Sequence, residues 1–275
     1  MKTNTAPNPS PTRQPVLFIG HGNPMHAIDD NPFKLEWQAW GQRLRAHYPA
    51  PRAIVCISAH WVTAGWQITT AAQPRTIHDF GGFPPDLFAQ RYPAPGAPAL
   101  AAEIMQSLSP QLAIQSDDEQ WGLDHGAWAV LMHLFPAADI PVLQLSLNAD
   151  ASLEEHYAAG QALSALRDAG ILLIGSGNVV HNFGLMHAPQ NGTLWQQAYA
   201  FDAYAAQAIE EKNHAALWQF DAPSAALLHS AHPTLEHYLP LLYSAGAARA
   251  DDVVRQTMTE RYAQAPVGMR CVQWG

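Results

Sequence analysis

Ile171-Leu172-Leu173-Ile174-Gly175-Ser176-Gly177-Asn178-Val179-Val180-His181-Asn182 is a short apolar, β-branched-rich run that stops at a glycine-containing loop and then delivers a histidine. Its first four residues read as a strand. The same grammar recurs in Val16–Ile19, Ala53–Ser58 and Pro141–Leu147, and more weakly in Met269–Trp274. Each run is almost continuously apolar, the pattern of a strand buried on both faces. Between the runs, segments with helical spacing fall at about 33–47, 97–108, 124–135, 152–169 and 194–214. Strands alternating with helices predict an α/β fold: a central mixed, mostly parallel sheet with helices on both faces. No repeat or Gly/Ser linker divides the chain, so 15–275 reads as a single α/β domain. Residues 1–14, rich in Pro, Asn and Thr and without an apolar stretch of signal-peptide length, read as a mobile N-terminal tail.

In an open α/β sheet, ligands bind outside the carboxyl ends of the strands. Three histidines are expected there. His21 follows Val16–Gly20, His60 follows Ile54–Ala59, and His181 lies a short loop beyond Ile174. A fourth, His237, sits in Pro233-Thr234-Leu235-Glu236-His237-Tyr238-Leu239-Pro240. Thr234 as N-cap would place it in a first helical turn, although Pro240 requires that helix to start late or to kink. An imidazole at a helix N-terminus is biased towards its neutral, ligating form. Imidazoles delivered from distant parts of the sequence are what a metal site at the sheet edge needs. Spacing alone offers no compact zinc signature such as H-E-x-x-H, so the residues by themselves reach a multi-histidine metal site and no further. His26, His47, His133, His156, His187 and His214 lack a supporting pattern and read as structural, and His229 and His232 read as lining the approach to the later helix.

The composition narrows the partners. The 275 residues carry 14 Lys plus Arg and a formal charge of −9, so the basic surface that nucleic acid or an anionic membrane needs is missing. No window approaches about 18 consecutive apolar residues, which argues against a spanning helix. Two distant cysteines, Cys56 and Cys271, make no disulfide framework and point to a reducing, cytoplasmic location. The stretch from Ala72 to Gly96, dense in Pro, Gly and aromatics, reads as a long ordered loop, and such loops are commonly functional.

Six blocks carry a resemblance. They are Gly20-His21-Gly22-Asn23-Pro24-Met25, Ser58-Ala59-His60-Trp61, His78-Asp79-Phe80-Gly81-Gly82-Phe83-Pro84, Gly122-Leu123-Asp124-His125-Gly126, Gly175–Asn182 and Pro233–Leu242. In this order they resemble the class III extradiol ring-cleavage dioxygenases, and within them the DOPA 4,5-dioxygenase branch. The blocks run from residue 16 to about 245.

The resemblance implies one mononuclear divalent metal, Fe(II) for activity with Zn(II) also suited to an all-histidine site. It implies His21, His60 and His237 as metal ligands and His181 as a fourth histidine that touches the metal or transfers protons. It further implies His125 as the other proton-handling residue. Protocatechuate-type relatives use a carboxylate as third ligand, whereas here that position falls on His237 with Glu236 beside it. The implied reaction opens a DOPA-like catechol with O₂ to a muconic semialdehyde-type product. The implied partners are the catechol and O₂, with the chain a monomer or small homo-oligomer. Trp61, Phe80, Phe83 and Trp121 are candidate walls of an aromatic pocket, and His78 and Tyr92 candidate contacts for the substrate side chain. Two rivals remain on the sequence: a zinc hydrolase using the same histidines, and a non-catalytic metal-binding scaffold.

Overall fold

The computed structural model describes residues 13–258 and 267–275. The central sheet is built from β1 (Val16–Gly20), β2 (Ala53–Ser58), β3 (Val142–Gln144), β4 (Ile171–Gly177), β5 (Val254–Thr257) and β6 (Cys271–Trp274). Their spatial order is β3-β2-β4-β1-β6-β5. The first four run parallel, and β6 pairs antiparallel with both β1 and β5. The sheet is therefore mixed and mostly parallel, as the run pattern predicts.

Residue alternation explains why both faces are apolar. Val16 and Phe18, Val55 and Ile57, and Ile171 and Leu173 enter one core. Their neighbours Leu17 and Ile19, Ile54 and Cys56, and Leu172 and Ile174 enter the other. Side chains a single position apart point to opposite faces of a strand, so a strand covered twice has no polar position to spare. The first core is closed by α2 (Pro98–Leu108), α4 (Leu153–Leu163), α5 (Thr193–Glu210), α6 (Ala222–Ala231) and α7 (Leu239–Ala247); the second is closed by α1 (Pro32–His47) and α3 (His125–Leu134). Local chemistry sets the helix starts. Asn31 accepts from the Lys34 N–H with Pro32 in the first turn, Ser152 and Glu155 form a reciprocal capping box, and Asp124 caps α3.

Several boundaries differ from the sequence reading. The run Pro141–Leu147 is not one strand. After Gln144 the chain leaves the sheet, and Leu147–Asn148 pairs instead with Val62–Thr63. β4 continues past Ile174 through Gly175, Ser176 and Gly177, which pair with β1. Glycine marks a strand end on propensity, but here it is tolerated between two ordered neighbours. Helix 152–169 ends at Leu163 and tightens into a 3₁₀ turn at Ser164–Arg167. Helix α6 and strand β5 were not anticipated, and of the two outcomes that Pro240 leaves open for the later helix, a late start is the one found. α7 begins at Leu239 with Pro240 in its first turn, where a proline costs no hydrogen bond, so His237 precedes the helix rather than lying in its first turn. The expected tail, 1–14, lies outside the described residues except for Arg13 and Gln14. Gln14 is buried, and its carbonyl accepts from Arg167 Nε at 2.8 Å. Among the described residues no helix is long and apolar enough to cross a membrane.

Candidate metal centre and active site

His21 follows the last residue of β1, His60 lies just past β2, His125 opens α3, and His237 immediately precedes Tyr238 and α7. Their rings meet beyond the carboxyl ends of the parallel strands. The His21 ring centroid is 5.0 Å from that of His60, 5.3 Å from His237 and 5.5 Å from His125. His60 is 5.0 Å from His237 and 3.9 Å from His125. His181 stacks on His237 at 3.5 Å, with the ring planes 1° apart. All five histidines singled out in the sequence thus gather at one edge of the sheet.

The close approach depends on missing side chains. A Cβ on Gly177 would lie 2.2 Å from the His237 carbonyl oxygen, and one on Gly126 would lie 2.4 Å from Ser58 Oγ. Both contacts are far inside van der Waals range. The Gly177 carbonyl also accepts from the His21 N–H at 3.2 Å, and the Asn178 N–H donates to the His237 carbonyl at 2.8 Å. The end of β4 therefore fixes two of the site histidines through its backbone.

Hydrogen bonds locate the imidazole protons. Ser176 Oγ donates to the Gly126 carbonyl at 2.5 Å, which commits its one proton. His21 Nδ1, 3.1 Å from the same oxygen, must then be the donor in that pair. An ionised carboxylate only accepts, so Asp79 Oδ2, hydrogen-bonded to His125 Nδ1 at 2.9 Å, places that ring's proton on Nδ1, whereas His60 Nδ1 stands 3.3 Å from the same oxygen in ion-pair contact only. With its Nδ1–H donating to Ser176, His21 Nε2 carries a bare lone pair and faces His60 Nε2 at 3.1 Å. Where His60 too carries its proton on Nδ1, a cation shared by the two Nε2 atoms removes the repulsion between their lone pairs. Among the described residues His237 Nδ1 is buried without a hydrogen-bond partner; Glu236 Oε1 stands 3.5 Å away, too long for a good bond.

Electrostatics points the same way. Burial, reinforced by the neighbouring imidazoles, holds His21 and His60 well below the usual histidine range. Burial also lowers His237, although Glu236 opposes the shift, and brings His181 down to about 3. Neutral imidazole is the form that ligates a metal. The ligand atoms of His21, His60 and His125 lie within 4.8 Å of one another, as do those of His181, Glu236 and His237. The residues present fit a divalent metal ion.

A buried polar frame holds this edge. Asp124 accepts from Ser58 Oγ at 2.6 Å, Gln144 Nε2 at 2.7 Å and the Ala127 N–H at 3.2 Å. Burial, then the nearby Asp79 charge, raises the Asp124 carboxyl. Phe80 meets His125 edge-on at 5.5 Å and packs on Phe83, Phe88 and Trp128, so the 76–91 loop forms one wall. Trp61 and Trp121 stack on each other at 5.7 Å. Tyr92 does not serve as a substrate contact: it is buried, with its hydroxyl donating to the Phe135 carbonyl at 3.0 Å. His78 is taken into the aromatic cluster with Phe88 and Trp128. Sequence reasoning gave no role to Asp79 or Ser176, although both lie in quoted blocks.

Residues 14–269 match the family described as the catalytic LigB subunit of aromatic ring-opening dioxygenase. The chain belongs to this family. It is 43% identical over 242 residues to 4,5-DOPA dioxygenase extradiol of Escherichia coli (strain K12), covering 86% of each chain. The protein of the same name from Beta vulgaris is 39% identical, covering 85% of this chain and 86% of its own. The dioxygenase tasH of Hapsidospora irregularis is 34% identical, covering 88% and 80%. The crystal structure of an uncharacterized Escherichia coli K12 protein superposes with a TM-score of 0.73 at 36% identity, covering 96% of this chain and 100% of that one. This membership makes the chain an oxidoreductase of the extradiol ring-cleavage class, and the family implies a metal.

Proposed function

We propose that this member of the family opens the ring of a DOPA-like catechol with O₂, yielding a muconic semialdehyde-type product, at a single Fe(II) held by His21, His60 and His237. The observation that carries the reading is that His21 Nε2, left bare by the bond of Nδ1 to Ser176, faces His60 Nε2 at 3.1 Å, with His237 beside them. The relatives named 4,5-DOPA dioxygenase extradiol support the choice of substrate class. Bound there, Fe(II) supplies Lewis acidity towards the catechol oxygens and the redox activity that O₂ chemistry requires.

The chain's own residues orient the substrate and handle protons. With Nδ1 tied to Asp79, the Nε2 of His125 is the free nitrogen, and it accepts the proton of a catechol hydroxyl. His181 handles the second proton. Its ring stacks parallel on His237 with centroids 3.5 Å apart, which holds it beside the residues that would bind the metal. Phe80 and the rings behind it present an apolar wall that excludes water from the ring to be opened. General acid–base help of this kind is worth about 10²–10⁴ in rate.

The test is anaerobic reconstitution with Fe(II), addition of L-DOPA, admission of O₂, and measurement of oxygen uptake with the yellow semialdehyde absorbance. Uptake abolished in His60→Ala supports the site. Oxygen-independent turnover with Zn(II), or no uptake with any catechol, overturns the reading.

A further inference from the structure

Asp79 occupies a position that no ligand set explains. It comes from the 76–91 loop, remote in sequence from every strand end, yet its carboxylate reaches two site histidines at once. Oδ2 is hydrogen-bonded to His125 Nδ1 at 2.9 Å and in ion-pair contact with His60 Nδ1 at 3.3 Å, while Oδ1 accepts the His125 backbone N–H at 2.9 Å. The carboxylate is mostly shielded from solvent, with a side-chain exposure of 14%. The adjacent Phe80 lies edge-on to His125, and its packing on Phe83 and Phe88 seats the loop.

We propose that Asp79 is a positioning residue for ring cleavage, fixing His60 and His125 together in the Nδ1–H tautomer so that one ring presents Nε2 to the metal and the other presents Nε2 to the substrate proton. The inference rests on the reading of His60 as ligand and His125 as proton acceptor. The physical case is that a neutral imidazole has one proton to place, and the partner of one nitrogen decides which nitrogen is bare. A carboxylate accepting from Nδ1–H holds the proton on that nitrogen, orients the ring and leaves Nε2 as the bare nitrogen. One carboxylate shared by both rings also locks their separation, 3.9 Å between centroids, so the proton acceptor keeps its place relative to the metal. An amide at position 79 keeps the shape but offers an N–H where an acceptor is needed, which favours the opposite tautomer.

The experiment is long-range ¹H–¹⁵N NMR of the histidine rings in the metal-free full chain, with His60 and His125 assigned by single substitution. It is paired with Co(II) titration and steady-state oxygen uptake. In the wild type both rings are expected to be protonated at Nδ1; a proton on Nε2 of either ring overturns the proposal without recourse to any variant. In Asp79→Asn at least one ring is expected to switch tautomer, Co(II) affinity to fall about 10–100-fold, and kcat to fall about 10²-fold or more with KM little changed. Asp79→Glu is expected to recover part of both. Unchanged tautomers in Asp79→Asn overturn the proposal whatever happens to activity. A wild type that turns over no catechol removes the reading of function but leaves the tautomer and affinity results to judge Asp79.

Discussion

His181 and His237 lie face to face, 3.5 Å apart and parallel to within 1°. A metal binds an imidazole in the ring plane, so two parallel rings offset by that distance point their lone pairs along separate lines. If His237 ligates, His181 is left for proton transfer. His181→Ala is therefore expected to keep one metal per chain by elemental analysis and to lose about 10²–10⁴ in kcat by oxygen uptake. His237→Ala is expected to lose the metal. Loss of metal from His181→Ala would make it a fourth ligand.

Far from the site, Arg167 and Asp252 form a fully buried ion pair, with Nη1 2.6 Å and Nη2 3.0 Å from the carboxylate oxygens. The remaining guanidinium hydrogens go to the carbonyls of Gln14, Ala247 and Trp274, and the carboxylate also accepts from Arg13 and the Arg249 N–H. Such a pair contributes little net stability when intact, but removing one partner strands a buried charge at a cost of about 3–5 kcal/mol. Asp252→Ala should lower the unfolding free energy obtained from urea denaturation by an amount in that range. The loss should exceed that of a double variant in which Arg167 is also made apolar.

The fold and the site were legible to different degrees, for physical reasons. The parallel strands showed because a doubly covered strand must be apolar at every position, as in Val16–Ile19 and Ala53–Ser58. The histidines showed because ligand-bearing residues collect just past such strands. β5 did not show: Val254–Thr257 reads Val-Arg-Gln-Thr, an edge strand with partly exposed side chains and no apolar run. α7 showed only as a choice, since Pro240 demanded a late start or a kink; the late start puts the proline in the first turn, where it is at home. Asp79 stayed silent because its partners, His60 and His125, are 19 and 46 residues away, and no local pattern encodes a contact made through a loop.

The interior also sets an acid limit on stability. Burial brings His156 down to about 4 and His232 to about 3; His156 Nδ1 pairs with the Tyr243 hydroxyl, and the bond from His232 Nε2 to the Val179 carbonyl opposes the shift without cancelling it. Between these values and the ordinary 6.5 the unfolded chain binds more protons than the folded one. Their neutral burial therefore costs nothing above about pH 6.5, and stability falls as pH drops from there towards 4 and then 3. At about 1.36 kcal/mol per unit, His156 alone accounts for up to about 3 kcal/mol. Urea unfolding at pH 7.5, 6 and 5 should show a steady decline that begins near pH 6.5. A flat profile down to pH 5 would show that these rings are not buried neutral.

Gly177 offers the most direct test of how the sheet edge builds the centre. Its carbonyl holds the His21 N–H, and the next residue's N–H holds the His237 carbonyl, so its backbone lies between two of the proposed ligands. A methyl group there would sit 2.2 Å from the His237 carbonyl oxygen, a backbone atom that cannot swing away as a side-chain tip can. Overpacking of this kind typically costs about 1–3 kcal/mol. Here the relief must come from displacing the His237 backbone, which changes its place relative to His21. Gly177→Ala is therefore expected to lower the thermal midpoint and, beyond that, to weaken metal binding in the protein that remains folded. Gly81→Ala is the control, since a Cβ there meets nothing within 4 Å, and it should change neither quantity. If Gly177→Ala is destabilised yet binds metal as tightly as the wild type, the spacing of His21 and His237 is not what the end of β4 enforces.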